Sequence, residues 1–346
     1  MINLETIESR EAWNEAIARF DKRDFFHTFE YHENCATDAE SKPLLIVGGQ
    51  TDSPTFALPM LRRDLPDGKF DLVSVYGYTG LLCHDNRSMP EVLDQLKPAL
   101  ADIGCVSCFS RMHPIIHEDI PDHDCLVAAG KTISIACLPE DERMLGYRKT
   151  TRYEIRKLAK LDSEARFDTS DESFGAFVEI YYATMRDLDA ADSYFFDRDW
   201  LRNVLNIPGV QTTIGTVIYE GQIVSAALFT CIQGTAQYFL GGANREFSKL
   251  APQKLLLHRA VDWAIEHGAE SLHLGGGRGS REDGLFRFKS GFSKTVHEFK
   301  LMKLICDETV YADLTRTHAD RLQVSLDTIA ESNFFPAYRA VINSDE

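Results

Sequence analysis

Apolar and polar positions alternate most regularly in the second half of the chain. Helical spacing of the apolar residues predicts helices over 173–186, 197–205 and 252–267. Pro252 and Gly268 flank the last of these, at the positions where proline favours the start of a helix and glycine its end. Runs of β-branched and aromatic residues predict strands over 212–219, 222–231, 235–240 and 271–274. This half is therefore expected to be an α/β domain.

The first half is dominated by strand patterns. Apolar runs bounded by glycine, proline and aspartate predict strands over 44–47, 55–61, 70–78, 105–111, 125–128 and 132–138, with one helix over 89–103. The polar segment 138–142 is the expected domain boundary. We therefore predict a first domain over 1–140 and a second over 141–305. The helical pattern at 311–329 is expected to let residues 306–346 pack back on the first domain.

Composition limits the class of protein. The chain has 346 residues, a net charge of −16 at pH 7 and a pI of about 5.1. Such an acidic protein repels nucleic acid and anionic membranes as a whole, which argues against a DNA-binding role. No apolar run reaches the roughly 18 residues that span a bilayer, and the acidic start is unlike a secretory signal. The expected location is the cytoplasm.

One segment is basic although the chain as a whole is acidic. Residues 146–160 hold six basic residues and one acid, a net charge of +5. If they form one helix, Arg148, Arg152, Arg156 and Lys160 recur at spacing four and make a stripe that suits phosphate groups. Pairing with the acid-rich segment 161–199 is the alternative, and the sequence leaves both open.

A metal site is the weaker interpretation of the cysteines. Cys105 and Cys108, with His113 and His117, could formally supply four zinc ligands. The cysteines lie, however, in an apolar stretch that predicts a buried strand, where cysteine is common as a small hydrophobic residue. We therefore predict buried thiols and no metal.

Three other segments carry candidate chemistry. A glycine run, 275–277, follows a predicted strand and could form an anion-binding nest of backbone N–H groups. Aromatic residues and cations are interleaved over 283–292. Tyr76, Tyr78 and Arg111 stand at predicted strand ends. Signatures of a nucleophile elbow, a zinc protease or paired carboxylates do not occur, so an enzyme of this sequence should be a transferase that works by positioning and charge stabilisation.

Several motifs, taken in their combined order, resemble the Fem-like group of the GNAT superfamily. This group comprises the FemAB and FemX aminoacyltransferases, and a related name for the domain is BioF2-like acetyltransferase. The motifs are Tyr238-Phe-Leu-Gly-Gly-Ala-Asn244, Lys249-Leu-Ala-Pro-Gln253, Leu274-Gly-Gly276 and Asp283-Gly-Leu-Phe-Arg-Phe-Lys-Ser-Gly-Phe292, with Pro59-Met-Leu-Arg-Arg63 and Tyr76-Gly-Tyr78 in the first half. The resemblance implies a mixed α/β (α+β) chain of two tandem GNAT-like domains. Each would have a mixed, mostly antiparallel sheet flanked by helices.

The resemblance also implies an activity. It is that of an N-acyltransferase (EC 2.3), which transfers an aminoacyl group from tRNA to a primary amine of a peptidoglycan precursor or a related small acceptor. No tightly bound cofactor is implied. Phe288 and Lys289 match the pair near the reaction centre, where the lysine stabilises the oxyanion. The cleft is then expected to be lined by Tyr76, Tyr78, Arg111, Tyr238, Gln253 and Arg278.

The acyl donor stays open. GNAT proteins that use acetyl-CoA carry glycines before the helix that begins here near Pro252, whereas this chain has Phe247-Ser-Lys-Leu-Ala-Pro252. This departure favours aminoacyl-tRNA, bound through its acceptor end, with the basic stripe at 146–160 as the phosphate contact. The alternatives are an acyl-CoA-dependent enzyme of a polysaccharide or natural-product pathway, and a binding module without catalysis. The sequence also leaves open whether the protein contacts a membrane through a lipid-linked acceptor, what its oligomeric state is, and whether both halves share one cleft.

Overall fold

The computed structural model describes residues 2–37, 40–50 and 52–342. They form two compact units. The first comprises the chain up to Lys22, Phe26–Ala129 and the chain from Phe299, and the second comprises Arg23–Phe25 and Gly130–Glu298. The domain boundaries expected from the sequence, at 140 and 305, lie later in the chain than the divisions between these units. One strand crosses each division. Residues 343–346 of the expected C-terminal segment lie outside the described residues.

The strands are, in chain order, β1 (Leu4–Ile7), β2 (Ser41–Gln50), β3 (Ser53–Asp64), β4 (Phe70–Val73), β5 (Leu82–Cys83), β6 (Cys105–Arg111), β7 (Leu126–Ala136), β8 (Ser163–Asp168), β9 (Gln211–Tyr219), β10 (Gln222–Ile232), β11 (Thr235–Ala243), β12 (Ser271–Gly276) and β13 (Val296–Ile305). The helices are α1 (Arg10–Ile17), α2 (Phe29–Cys35), α3 (Met89–Asp102), α4 (Glu140–Gly146), α5 (Lys149–Leu158), α6 (Asp171–Asp187), α7 (Arg198–Leu205), α8 (Pro252–Glu266), α9 (Gly284–Lys289), α10 (Glu308–Leu322) and α11 (Leu326–Glu331). Within the described residues, no helix is long and apolar enough to cross a membrane.

The first unit has a mixed sheet in the order β1-β2-β3-β4-β6-β13, with β5 paired to β3. The β4–β6 pair is parallel, and the other pairs in this order are antiparallel. Leu93, Leu96 and Leu100 of α3 pack in its core together with Cys105 and Cys108. Burial raises the pKa of both thiols well above its usual value. These two cysteines are therefore buried apolar residues of a strand, as the sequence predicts.

The second unit has the sheet order β7-β12-β11-β10-β9-β8, in which β11 and β12 run parallel. Helix α8 covers one face through Leu256, Ala260 and Val261. Helix α6 packs against β10 and β11, where a Cβ on Gly242 would collide with Thr184. The mixed α/β fold class expected from the sequence is confirmed.

Most predicted elements are present, and three of the expected elements are wrong. The two strands expected at 125–128 and 132–138 are the single strand β7, because Gly130 is accommodated within the strand. The strand expected over 70–78 ends at Val73. The expected C-terminal helix is divided into α10 and α11, since Gln323 adopts a left-handed conformation between them.

Candidate active site

The parallel strands β11 and β12 pair over only three positions, the last joining Gln237 to His273. Beyond it, β11 continues to Ala243 and β12 to Gly276 without further pairing between them. Two local features accompany this divergence. The register of β11 against β10 shifts at Phe239, as in a β-bulge, and Gly275 has a positive φ of 73° that favours glycine. The strands therefore leave an opening between them.

Lys289 lies at this opening. It is the last residue of the short helix α9, whose first turn is capped by the Asp283 carboxylate accepting from the Phe286 N–H at 3.0 Å. The Lys289 ammonium donates to the carbonyl of Gly276 at 2.7 Å and lies 5.8 Å from the centre of the Tyr238 ring. The residue is 7% exposed. A buried cation is thus held at the end of β12, next to β11.

Burial dominates the electrostatics of this cation. Desolvation lowers the pKa of Lys289 from 10.5 to about 7, and the nearby Asp283 charge partly opposes the effect. Burial tends to raise the pKa of Asp283, but hydrogen bonds from the Phe286 N–H and from Arg278, at 3.1 Å, bring it below its usual value. Lys289 therefore changes charge near neutral pH beside a carboxylate that stays ionised.

The structure brings only part of the predicted cleft together. Tyr238 accepts a hydrogen bond from Gln253, in the first turn of α8, at 2.5 Å, and burial raises the pKa of the phenol. Tyr238, Gln253 and Lys289 thus form one cluster, to which Arg278 is linked through Asp283. The Phe288 ring packs at 5.7 Å from Phe292, in the core beneath α8.

The other three predicted cleft residues belong to the first unit. The Tyr78 ring meets Phe299 edge-on at 5.2 Å, and burial raises its pKa to about 12 against the opposing charge of Arg111. Arg111 lies over the ring of Phe109. Tyr76 is partly exposed, and its carbonyl accepts from the Tyr31 hydroxyl. Their expected role in substrate binding stays a prediction.

The stripe expected at 146–160 does not form as predicted. Helix α5 begins at Lys149 and ends at Leu158, so Arg148 and Lys160 lie outside it. The Arg148 guanidinium turns to the Arg287 carbonyl at 3.0 Å and the Ser290 hydroxyl at 2.8 Å, and Arg152 is half-buried.

A different cationic surface takes its place. Five of the residues that α5 and the following turn expose are here called the α5 face: Lys149, Tyr153, Arg156, Lys157 and Lys160. Within the described part of the chain, none of its four cations forms an ion pair. The alternative of pairing with the acids of 161–199 is therefore wrong for these residues. Lys149 and Lys157 belong to the basic segment that the sequence singles out, but not to the stripe predicted at spacing four.

A second polar group was also missed. Asp24, Gln237 and His273 are connected by hydrogen bonds beside the opening. Asp24 is 213 positions from Gln237 in the chain, so no local signal could connect them. Among residues 2–37, 40–50 and 52–342, no cluster of three or more His, Cys, Asp or Glu side chains could hold a metal ion.

Comparison with known proteins agrees with this geometry. Residues 146–290 match the family model described as an acetyltransferase (GNAT) domain. No curated protein matches the sequence.

Solved structures extend the likeness over both units. FemX superimposes with a TM-score of 0.65 at 13% identity, covering 89% of this chain and 99% of FemX. A conserved protein of unknown function from Bacteroides thetaiotaomicron gives 0.56 at 15% identity, covering 88% and 100%. The C-terminal domain of a putative lysylphosphatidylglycerol synthetase from Agrobacterium fabrum gives 0.51 at 12% identity, covering 90% and 96%. Residues 146–290 are therefore similar to a GNAT acetyltransferase domain, and the chain has the fold of FemX.

Proposed function

We propose that the chain is an N-acyltransferase that forms an amide on a primary amine, with aminoacyl-tRNA as the donor and a peptidoglycan precursor or a related small amine as the acceptor. The observation that carries this proposal is the buried Lys289 ammonium at the opening between β11 and β12. Use of tRNA would place the reaction in the cytoplasm.

The geometry supports acyl transfer by direct attack. The lone pair of the amine attacks the ester carbonyl carbon, and the π electrons of the carbonyl move to its oxygen. Lys289 donates a hydrogen bond to that oxyanion in a site of low dielectric, where such an interaction is strong. Collapse of the intermediate restores the carbonyl and breaks the bond to the ribose oxygen, which leaves as a hydroxyl by taking up the proton that the attacking nitrogen gives up. No nucleophilic side chain is needed.

The start of α8 supports an ester donor over CoA. A helix N-terminus binds pyrophosphate through its free backbone N–H groups. Here the first helical residue is Pro252, which has no N–H, and Ala251 before it has a left-handed conformation. A short 3-10 helix over Arg245–Leu250 replaces the glycine-containing loop. The α5 face offers four exposed cations to the phosphates of the acceptor end, whereas Arg148 and Arg152 of the expected stripe would act from its margin.

One observation favours a second donor. The family model that matches residues 146–290 is described as an acetyltransferase domain. Acyl-CoA is therefore the alternative donor, and the same lysine would stabilise the oxyanion formed from a thioester.

The test offers the purified chain labelled aminoacyl-tRNA or labelled acyl-CoA, with a lysine-containing UDP-muramyl peptide and simple amines as acceptors. We expect an amide product, detected by mass spectrometry, from aminoacyl-tRNA and its loss in Lys289→Met. The control is Lys294→Met, which removes an exposed lysine of the same unit. Transfer from acyl-CoA alone would reject the tRNA donor, and no transfer from either donor would reject the enzymatic function.

A further inference from the structure

Arg148 holds the backbone on both sides of Lys289. Its guanidinium donates through one terminal nitrogen to the carbonyl of Arg287 at 3.0 Å, and through the other to the hydroxyl of Ser290 at 2.8 Å. Its backbone N–H donates to the carbonyl of Gly291 at 2.8 Å. Three hydrogen bonds from one residue therefore reach the chain two positions before the lysine and at the two positions after it.

The end of α9 that Arg148 contacts is the end that carries Lys289. The last carbonyls of a helix have no partners within it. In α9 the other carbonyls of the last turn accept from backbone N–H groups of the next residues, whereas that of Arg287 accepts from Arg148 and from the Ser290 hydroxyl, the latter at 3.1 Å. A cation is also favoured at this end by the helix dipole. Arg148 therefore caps the C-terminal end of α9.

The chain around Arg148 is itself packed against the turn that follows α9. A Cβ on Gly291 would lie 2.7 Å from the hydroxyl oxygen of Thr151, so this glycine allows the close approach of α5. Thr151 is buried. On the other side of Arg148, the buried Tyr147 ring meets Phe292 edge-on at 5.3 Å. The guanidinium thus extends from a segment whose position is fixed by packing.

The position of α9 determines where the Lys289 ammonium lies. The ammonium donates to the Gly276 carbonyl at the end of β12, and the side chain keeps this contact only while α9 keeps its place. Displacement of a catalytic group by about 1 Å can cost on the order of 10²-fold in rate. A contact that fixes the end of α9 is therefore able to influence the chemistry without touching the substrate.

We propose that Arg148 is a positioning residue of the transfer reaction, which holds the end of α9 so that the Lys289 ammonium stays at the opening between β11 and β12. This inference rests on the proposed function. It depends on the planar guanidinium, which donates to two acceptors at once, rather than on charge alone. The two N–H groups used on α9 are two of five, so the same side chain can also donate to a phosphate at the margin of the α5 face.

Arg148→Lys tests the shape of the contact. Lysine keeps the positive charge but replaces the fork with a single ammonium. We expect kcat to fall by about ten- to a hundredfold because Lys289 is misplaced, while the KM for the donor stays near its wild-type value because the charge is kept. The matched control is Arg245→Lys, at an arginine of the same unit whose side chain is 84% exposed, and it should keep the wild-type kcat.

Ser290→Ala tests the same contact without changing Arg148. The substitution removes the hydroxyl that accepts from the guanidinium and donates to the Arg287 carbonyl. We expect kcat to fall by roughly three- to tenfold, the factor that corresponds to one typical hydrogen bond. An arginine that served only to bind a donor phosphate would be insensitive to this change.

The pKa of Lys289 gives a readout that needs no substrate. Burial lowers this pKa from 10.5 to about 7, so an ammonium that leaves its buried position should have a pKa closer to the usual value. Measured by NMR of the isotopically labelled lysine side chain, the pKa should rise by about 1 or more in Arg148→Lys, and the alkaline limb of kcat/KM should move to higher pH with it. The ionisable groups beside the ammonium, Asp283 and Tyr238, are unchanged in this variant. A merely structural role would lower the Tm and leave the pKa where it is.

The outcomes distinguish this inference from the proposed function. A wild-type kcat in Arg148→Lys, or a Lys289 pKa that neither variant moves, would overturn the positioning role, while transfer by the wild-type protein upholds the proposed function. Absence of transfer by the wild type from either donor would overturn both. If Arg148→Lys does not fold, Ser290→Ala decides by the same two measurements.

Discussion

Replacing Lys289 with Met should make the protein less active and more stable. The substitution keeps the length and approximate volume of the side chain while it removes the charge. If the ammonium stabilises the oxyanion, kcat should fall by about 10²- to 10³-fold, the usual effect of losing one oxyanion-hole donor. The same ammonium is buried at 7% exposure, so its removal also relieves a cost of folding.

The size of that relief follows from the pKa. Displacement from 10.5 to about 7 corresponds to a penalty on the order of 5 kcal/mol for burying the charge, at about 1.4 kcal/mol per tenfold change in proton affinity. The lost hydrogen bond to Gly276 offsets about 1 kcal/mol of it. We therefore expect the free energy of unfolding to rise by about 4 kcal/mol at pH 6.5, where almost all of the penalty is present.

The pH dependence identifies the cause. Between pH 7 and 10.5 the unfolded chain binds more protons at Lys289 than the folded chain does, so the stability of the wild type rises with pH across this window. The Met variant lacks this contribution, and the difference between the two proteins should shrink by on the order of 3 kcal/mol from pH 6.5 to pH 9.5. Urea unfolding at both pH values measures it. A constant difference, or a variant that transfers acyl groups at the wild-type rate, would refute the reasoning.

Three further predictions concern the same unit. Asp283→Asn retains a capping side chain but removes the charge that raises the pKa of Lys289, so the alkaline limb of kcat/KM should move to lower pH. Gly275→Ala adds a Cβ 3.3 Å from the lysine nitrogen at a φ of 73°. The substitution should lower the free energy of unfolding by about 1 kcal/mol, measured as a lower Tm, and should also lower the rate of transfer. Lys157→Glu with Lys160→Glu should raise KM for a tRNA donor and flatten its salt dependence at unchanged Tm, whereas an unchanged KM would exclude the α5 face from donor binding.

Local signals explain which elements the sequence could predict. Pro252 and Gly268 delimit α8 because each acts on its own turn of helix, and Pro252 is indeed its first residue. Gly130 has no comparable effect in β7, which runs through it from Leu126 to Ala136. The start of α5 was misplaced for a related reason. Arg148 has extended backbone and donates to the Arg287 carbonyl, a contact between distant segments that helical spacing does not reveal.

The candidate site, too, could be predicted from the sequence only in part. Lys289 could be identified from its motif, and its cap, Asp283, stands at the usual distance before the helix. Its partner is a backbone carbonyl, that of Gly276, which no side-chain pattern encodes. The hydrogen bond from Gln237 to Asp24 depends on the position of a short segment from the far end of the chain. Residue types were thus accessible from the sequence, but their orientation and charge state follow only from tertiary burial.

The divergence of β11 and β12 explains why this chemistry would be placed here. In a continuous sheet, neighbouring strands satisfy each other's backbone groups and leave no room for a substrate between them. Once the pair separates after Gln237 and His273, the opening is reached from the α8 side by Tyr238 and Gln253. Lys289 at the edge of the opening donates a hydrogen bond to a backbone carbonyl, which holds its ammonium in position. Such an arrangement would hold an oxyanion donor beside the carbonyl carbon that the amine attacks, as amide formation from an ester requires.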